Sequence, residues 1–264
     1  MKILFWNTNR NENINEYIIS LVEDNDIDVL VLAEYGSNEN ELNNLLARTE
    51  QKLCICNTFG CDRIKVWSNY LNVMPANQNR YYSIQVFPNN TILCGTHLMS
   101  DMRGNRSDER LEIIQEIMND LQDVEGKMES AKIIIIGDFN EMPYERGCLN
   151  ANGFHGLPVL GIDDKKMRTV NQKEYRKFYN PMWNFFGDFT YPPGTYYLNQ
   201  SKLYSPMWYI LDQVIFSKEC LDVFKKESLR ILTNCSHGSL TDENMHPNEK
   251  ISDHFPIMCE IVDK

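Results

Sequence analysis

The stretch Lys132-Ile133-Ile134-Ile135-Ile136-Gly137-Asp138-Phe139-Asn140 decides how the fold is read. Four consecutive isoleucines predict a strand buried on both faces. The run ends in a glycine, then an acid and an amide at alternate positions. Side chains two apart on an extended strand point the same way, so Asp138 and Asn140 are expected to share one polar site at the strand's end. A carboxylate binds a cation or orients water, and an amide holds a phosphate oxygen. An ordinary strand end followed by a turn has the same local pattern, so the weight falls on what the other segments do.

Working outward, strand and helix signals alternate. Ile3 to Thr8 and Asp28 to Glu34 read as strands. Between them Ile14, Tyr17, Ile18, Leu21 and Val22 recur at helical spacing, which predicts an amphipathic helix over Asn13 to Glu23. Asn40 to Arg48 reads as a second helix. Lys52 to Phe59, Arg63 to Asn69, Tyr81 to Phe87 and Thr91 to Leu98 are β-rich and punctuated by Gly, Asn and Pro. Ser107 is expected to cap a helix of about four turns marked by Leu111, Ile114, Met118 and Leu121. Pro143 to Ser205 is aromatic and turn-rich without a clear period. Trp208 to Phe216, Leu229 to Thr233 and His254 to Val262 close the chain as strands. No linker, repeat or low-complexity segment interrupts this pattern, so residues 1–264 read as a single domain. Meander-like strands outnumber helices, which favours a β-sandwich with helices outside over a doubly wound sheet.

Composition narrows the class. A hydrophobic content of 42% and an aromatic content of 11% belong to a globular chain. No apolar run approaches the roughly 20 residues of a membrane span. The N-terminus enters a strand-like segment without a basic region and apolar h-region, so a cytoplasmic location is expected. A chain already trimmed of its leader would look the same. Eight cysteines, several inside apolar runs, read as buried free thiols of a reducing compartment. Cys54, Cys56 and Cys61 lack the paired spacing of common zinc sites. The net charge of −11, from 26 Lys plus Arg against 37 Asp plus Glu, does not suit a generally basic nucleic-acid grip. It is compatible with a phosphate substrate where bound cations reverse the local sign.

Five segment ends carry polar residues in the same manner: Trp6-Asn7-Thr8-Asn9, Ala33-Glu34, Gly95-Thr96-His97, Gly137-Asp138-Phe139-Asn140 and Ser252-Asp253-His254. A further acid, Asp212, interrupts the apolar run Ile210 to Ile215. In this ordered set the chain resembles the endonuclease/exonuclease/phosphatase superfamily, the deoxyribonuclease I-like proteins. The late block Gly194-Thr195-Tyr196-Tyr197, leading to Trp208 and Leu211-Asp212-Gln213, is similar to a bacterial branch of it.

The resemblance implies a four-layer α/β fold, a two-sheet β-sandwich flanked by helices, and hydrolysis of phosphate esters assisted by Mg²⁺ or Mn²⁺. It implies Glu34, Asn7 and Asp253 as metal-side residues, and His254, Asp212, Asp138, Asn140 and His97 as catalytic ones. Glu34 is a hard-oxygen ligand suited to Mg²⁺; its bland alternative is a solvated charge at a strand terminus. Asn7 could equally be a turn residue. Asn9 stands where many members have Asp, a departure from the family's second carboxylate-rich metal position. An acid inside Ile-Leu-Asp-Gln-Val-Ile needs a partner if buried, and the resemblance supplies His254 for Asp212. His97 marks the deoxyribonuclease, sphingomyelinase and inositol-phosphatase branches. The deoxyribonuclease branch pairs this His with a Glu on a preceding strand, whereas Asp62 is the only acid here between Glu50 and His97.

Weaker signals remain. Arg103, Arg106 and Arg110 could meet a phosphate or form a solvated helix start. The aromatics from Tyr179 to Tyr209 could stack bases, or fill a core beneath a long loop. His155, His237 and His246 lack ligand spacing and read as surface residues. The leading function is a nuclease acting on phosphodiesters in nucleic acid. The alternative is a phosphomonoesterase or small-molecule phosphodiesterase for an inositol phosphate, nucleotide or lipid head group. A catalytically inactive binding module is a third class, opposed by the intact Glu34, Asp138, Asp212 and His254.

Overall fold

The computed structural model describes residues 1–101, 104–128, 131–199 and 205–262. The isoleucine strand, Lys132–Asp138, lies inside a seven-stranded sheet. Ile134 and Ile136 face the core between two sheets, whereas Ile133 and Ile135 face a second core. The second core lies under the helix Ser107–Glu125, which contributes Ile113, Ile114, Ile117 and Leu121. Burial on both faces is thus divided by side-chain parity.

The order in this sheet is Met74–Asn79, Tyr82–Phe87, Thr91–His97, Lys132–Asp138, Asp212–Ser217, Phe178–Tyr179, Gly156–Leu157. The second sheet has six strands, ordered Phe224–Ile231, Ile257–Ile261, Lys2–Asn7, Val29–Ala33, Ile64–Ser68, Cys54–Ile55. The sheets meet closely: a Cβ built on Gly95 would lie 3.0 Å from side-chain atoms of both Ile64 and Val31. On the other face of the six-stranded sheet, the Trp67 indole N–H donates to Asn43 Oδ1 of the helix Glu39–Leu46 at 2.6 Å. The helix Asn15–Asn25 adds Ile18, Leu21 and Val22 to that core. The layers run helix, sheet, sheet, helix, the expected four-layer α/β sandwich.

Several sequence boundaries shift. Ser107 is the first helical residue and Arg106 occupies the cap position without a side-chain bond, so Ser107 is not the cap; the helix runs 19 residues, longer than expected. The β-rich Lys52 to Phe59 keeps only Cys54–Ile55 as strand. Trp208 to Phe216 divides into Trp208–Tyr209 and Asp212–Ser217. The last strand begins at Ile257, leaving Asp253 and His254 in the loop before it. The stretch after Pro143 holds short elements that periodicity did not show, among them the hairpin Met167–Val170 with Lys173–Arg176. No helix among the described residues is long and apolar enough to cross a membrane. All eight cysteines are free thiols.

Each sheet contains a parallel pair that ends at the same rim. Lys2–Asn7 runs beside Val29–Ala33, with Asn7 opposite Ala33. Thr91–His97 runs beside Lys132–Asp138, with His97 opposite Asp138.

Candidate active site

The seven-stranded sheet sets three polar residues in one transverse row. His97 pairs with Asp138 across a parallel ladder, and Asp138 pairs with Asp212 across an antiparallel one. Register partners point to the same face, so one imidazole and two carboxylates emerge side by side. Gly137 makes the row possible: a Cβ there would lie 1.8 Å from the Thr96 carbonyl oxygen, a distance only glycine avoids.

The other sheet closes the site from across the sandwich. Asn7 Nδ2 donates to Asp138 Oδ2 at 2.9 Å, joining the ends of the two central strands. Ser252 Oγ donates to the Asn7 carbonyl at 2.7 Å and accepts from the His254 N–H at 3.1 Å, fixing the loop that carries His254. The Trp6 indole N–H donates to the His254 carbonyl at 2.8 Å. His254 Nδ1 then lies 2.8 Å from Asp212 Oδ2, with both residues buried. The expected carboxylate–imidazole pair is therefore present as a contact between residues 42 apart in sequence.

Glu34 follows its strand in the left-handed region, at φ 47°. Such a backbone is uncommon for a side chain of this size and costs on the order of 1–3 kcal/mol. It is held by Thr8 Oγ1 and the Arg10 N–H, which donate to the Glu34 carbonyl at 3.0 and 2.9 Å. The carboxylate is partly exposed at the rim. Oε2 pairs with Arg10 Nε at 2.9 Å, and Oε1 lies 3.5 Å from His97 Nε2. The same His97 nitrogen is 3.7 Å from Asp138 Oδ2. The acids facing His97 are thus Glu34 and Asp138; Asp62 is exposed and lies beside Arg80 instead.

Asn140 reaches the site by a route other than strand alternation. The strand stops at Asp138, and Asn140 takes a left-handed φ of 49°. Its N–H donates to Asp138 Oδ1 at 2.9 Å and its Nδ2 to the Leu98 carbonyl at 3.1 Å. Asp253 is half-exposed, with Oδ1 4.0 Å from His254 Nε2. Asn9, also at positive φ, donates its N–H to Asn7 Oδ1 at 3.1 Å.

The charges shape the protonation of the pair. Burial alone would lower the His254 pKa, but Asp212, Asp138 and Asp253 outweigh it and carry it up to about 10. Burial raises Asp212, and His254 opposes that rise. The pair is best described as an imidazolium held by a carboxylate. His97 behaves differently: burial pushes its pKa below the usual value, against the pull of Asp138. Burial also raises the Asp253 carboxyl, opposed by His254.

The donor set fits a hard divalent cation. Glu34, Asp138, Asp212 and Asp253 offer carboxylate oxygens and Asn7 an amide, with no thiolate near. Asp138, Asp212 and His254 bring one ligand atom each within 4.8 Å of one another, and Asp212 Oδ1 is buried without a hydrogen-bond partner. This cluster differs from the Glu34, Asn7 and Asp253 set implied by the sequence. Both sets border Asp138, through Asn7 on one side and Asp212 on the other.

Other sequence candidates lie elsewhere. Arg110 is buried, its Nε 3.0 Å from Glu141 Oε1 and its Nη1 2.7 Å from Asp101 Oδ1, so it braces the helix start and is no phosphate contact. Arg106 pairs with Glu109, and Arg103 lies outside the described residues. His155 is fully buried, contrary to its surface reading, with Nδ1 2.9 Å from the Arg176 carbonyl. His246 stacks on Tyr197 with ring centroids 3.6 Å apart, whereas His237 is exposed. The late aromatics divide: Tyr179 joins the core and Trp183 packs on Phe186, while Tyr196 lies 4.8 Å from the His254 ring. Arg10 and Arg63 border Glu34 and His97 but escaped sequence reading, because neither sits in a motif. Strand pairing brings Arg63 to the site, and the turn after Asn7 brings Arg10.

No family model matches the chain, and no curated protein matches it by sequence. Solved structures do match it. A truncated TDP2 from Caenorhabditis elegans superposes with a TM-score of 0.59 at 15% identity, over 98% of this chain and 96% of that one. An AP endonuclease from Archaeoglobus fulgidus gives a TM-score of 0.60 at 10% identity, over 99% of each chain. The 3′ phosphatase NExo from Neisseria, bound to a product DNA hairpin, gives 0.58 at 13% identity, over 99% of each. Together with the row of polar strand ends at one rim of two packed sheets, these matches show that the chain has the deoxyribonuclease I-like fold of the endonuclease/exonuclease/phosphatase superfamily.

Proposed function

We propose that residues 1–264 form one divalent-metal-dependent phosphoesterase domain, with phosphodiester bonds in nucleic acid as the leading substrate. The observation that carries this reading is the buried His254–Asp212 pair at 2.8 Å, set in register beside Asp138 and facing Glu34 and His97 across the rim. Such a pair has no packing purpose, since a buried acid and imidazole each lose solvation. The solved structures of an AP endonuclease and of a phosphatase holding a DNA product share the fold and support a nucleic-acid substrate.

Mg²⁺ or Mn²⁺ held by Glu34 and Asn7, with Asp253 on the same side, would neutralise charge on the phosphoryl and leaving oxygens. Asp212 anchors His254 through Nδ1, which leaves Nε2 to face water or substrate. With its pKa raised to about 10, His254 holds a proton at neutral pH. Accepting one from water requires relief of the negative field from Asp138 and Asp253, which positive charge in the site favours. Asp138 orients His254's neighbourhood and receives the Asn7 and Asn140 N–H groups. His97, neutral because it is buried, donates from Nε2 towards anionic oxygen, and Asn140 stands beside it.

The net charge of −11 favours a second reading, a phosphomonoesterase or small-molecule phosphodiesterase, whose substrate needs no basic track. A panel of plasmid, single-stranded DNA, RNA and phosphomonoesters, each with Mg²⁺, Mn²⁺ or chelator, separates the two. Nucleic-acid cleavage that chelator abolishes is expected. Turnover of a phosphomonoester alone would replace the leading reading with the second, and full activity in chelator would refute both.

A further inference from the structure

The strand pairing that ends at Glu34 also brings a cation to the rim. Ala33 pairs with Ile64 in antiparallel register, so Arg63 comes opposite Glu34. Its guanidinium is clamped on one edge. Nη1 donates to the carbonyls of His97 and Leu98, each at 3.4 Å, and the group lies over the Tyr81 ring, 4.7 Å from its centroid. Those two carbonyls belong to the segment that carries His97 and accepts the Asn140 amide. Nε and Nη2 have no protein acceptor among the described residues, and no carboxylate there forms an ion pair with Arg63. Glu34 is already engaged by Arg10 and His97, and Asp138 by Asn7. Half-burial pulls the Arg63 pKa down, while the negative charges of Glu34 and Asp138 counter it, and the guanidinium stays charged.

A half-buried cation with two uncommitted donor nitrogens, held from behind and facing an acidic site, is preorganised for an anion. We propose that Arg63 binds the substrate phosphate, its free N–H edge meeting a non-bridging oxygen beside the Glu34 carboxylate. This rests on the phosphoesterase reading above. The competing role is structural: Arg63 would serve only to satisfy the His97 and Leu98 carbonyls.

Inorganic phosphate distinguishes these roles without turnover. Binding to the full chain is measured calorimetrically with Mg²⁺, alongside thermal midpoints, for wild type, Arg63→Gln and Arg63→Lys. Loss of a charge-assisted hydrogen bond predicts phosphate binding weakened about tenfold or more by Gln, with Lys intermediate because it keeps charge but not the fork. Binding by Arg63→Gln within twofold of wild type would overturn the proposal. A wild-type chain that binds no phosphate would overturn the phosphoesterase reading along with it. Phenylglyoxal labelling of the wild-type protein guards against a variant that fails to fold. Phosphate should slow modification of Arg63, followed by peptide mass, several-fold relative to exposed Arg230. Equal labelling of Arg63 with and without phosphate would overturn the proposal on its own.

Discussion

Asp138 and Asp212 are register partners on adjacent antiparallel strands, two buried carboxylates facing one way at the rim of a sheet. Like charges so placed need a cation between or beside them. His254 supplies one to Asp212, through Nδ1 at 2.8 Å, and the Asn7 amide lies on Asp138. Everything proposed about the chemistry depends on this arrangement.

Removing either half of the pair should abolish the proposed hydrolysis. His254→Ala is expected to lower turnover by roughly 10²–10⁴-fold, the range of general acid–base groups. Asp212→Asn should cost a similar order, since it leaves the imidazole without its anchor. If the two act as one unit, the double variant costs little more than the worse single one. Rate measurements on the purified variants check this, and near-normal turnover in His254→Ala would remove it from the mechanism.

Divalent metal should stabilise the fold through Glu34. Mg²⁺ or Mn²⁺ is expected to raise the thermal midpoint of the wild-type chain by ligand linkage, and chelator should reverse the rise. Glu34→Gln should lose most of that increment. In the absence of metal its midpoint should match wild type, because the carboxylate is partly exposed and its left-handed backbone is unchanged. An undiminished metal shift in Glu34→Gln would place the ion elsewhere, for instance at Asp138, Asp212 and His254.

Arg110, near the start of the helix Ser107–Glu125, forms a buried ion pair with Glu141. Glu141 Oε2 also accepts the Gly147 N–H at 2.6 Å. Glu141→Ala should therefore destabilise by about 3–5 kcal/mol in denaturant titration, the cost of a buried charge left unpaired. Asp101→Ala should cost much less, since Asp101 is largely solvated. Equal and small losses would mean that solvent reaches Arg110.

His155 should give the fold an acid-side weakness. Burial lowers its pKa below the ordinary 6.5. Below that value the unfolded chain takes up a proton that the folded chain refuses, so stability is full above the unfolded pKa and falls as pH drops towards the folded one. The slope is at most about 1.4 kcal/mol per pH unit for one group. His155→Gln should flatten the stability profile between about pH 5 and pH 7. An unchanged profile would assign the pH dependence to other groups.

Tyr196 and Tyr197 are the aromatics to test for substrate stacking, because they lie beside His254 and His246 while Trp183 packs against Phe186. If the substrate is nucleic acid, Tyr196→Ala, beside His254, should weaken single-strand binding by about 1–3 kcal/mol. Efficient cutting of smooth duplex with a steep salt slope would point instead to a basic track.

Much of this was legible in the residues. Four isoleucines determine a strand with apolar atoms on both faces, and helical spacing determines Asn15–Asn25 within a turn of its ends. The ordered polar strand ends marked the candidate site residues, and an acid in an apolar run required a partner. Tertiary structure alone decided that His97, Asp138 and Asp212 form one row, since register follows from strand pairing over distances that no local pattern encodes. It also decided that Arg63 faces Glu34 while Arg110 disappears into an ion pair. Charge is a property of the residue, but exposure and partners are properties of the packing around it. His155 and His254 are the same side chain; one is buried beside a carbonyl and lowered, the other is buried among carboxylates and raised.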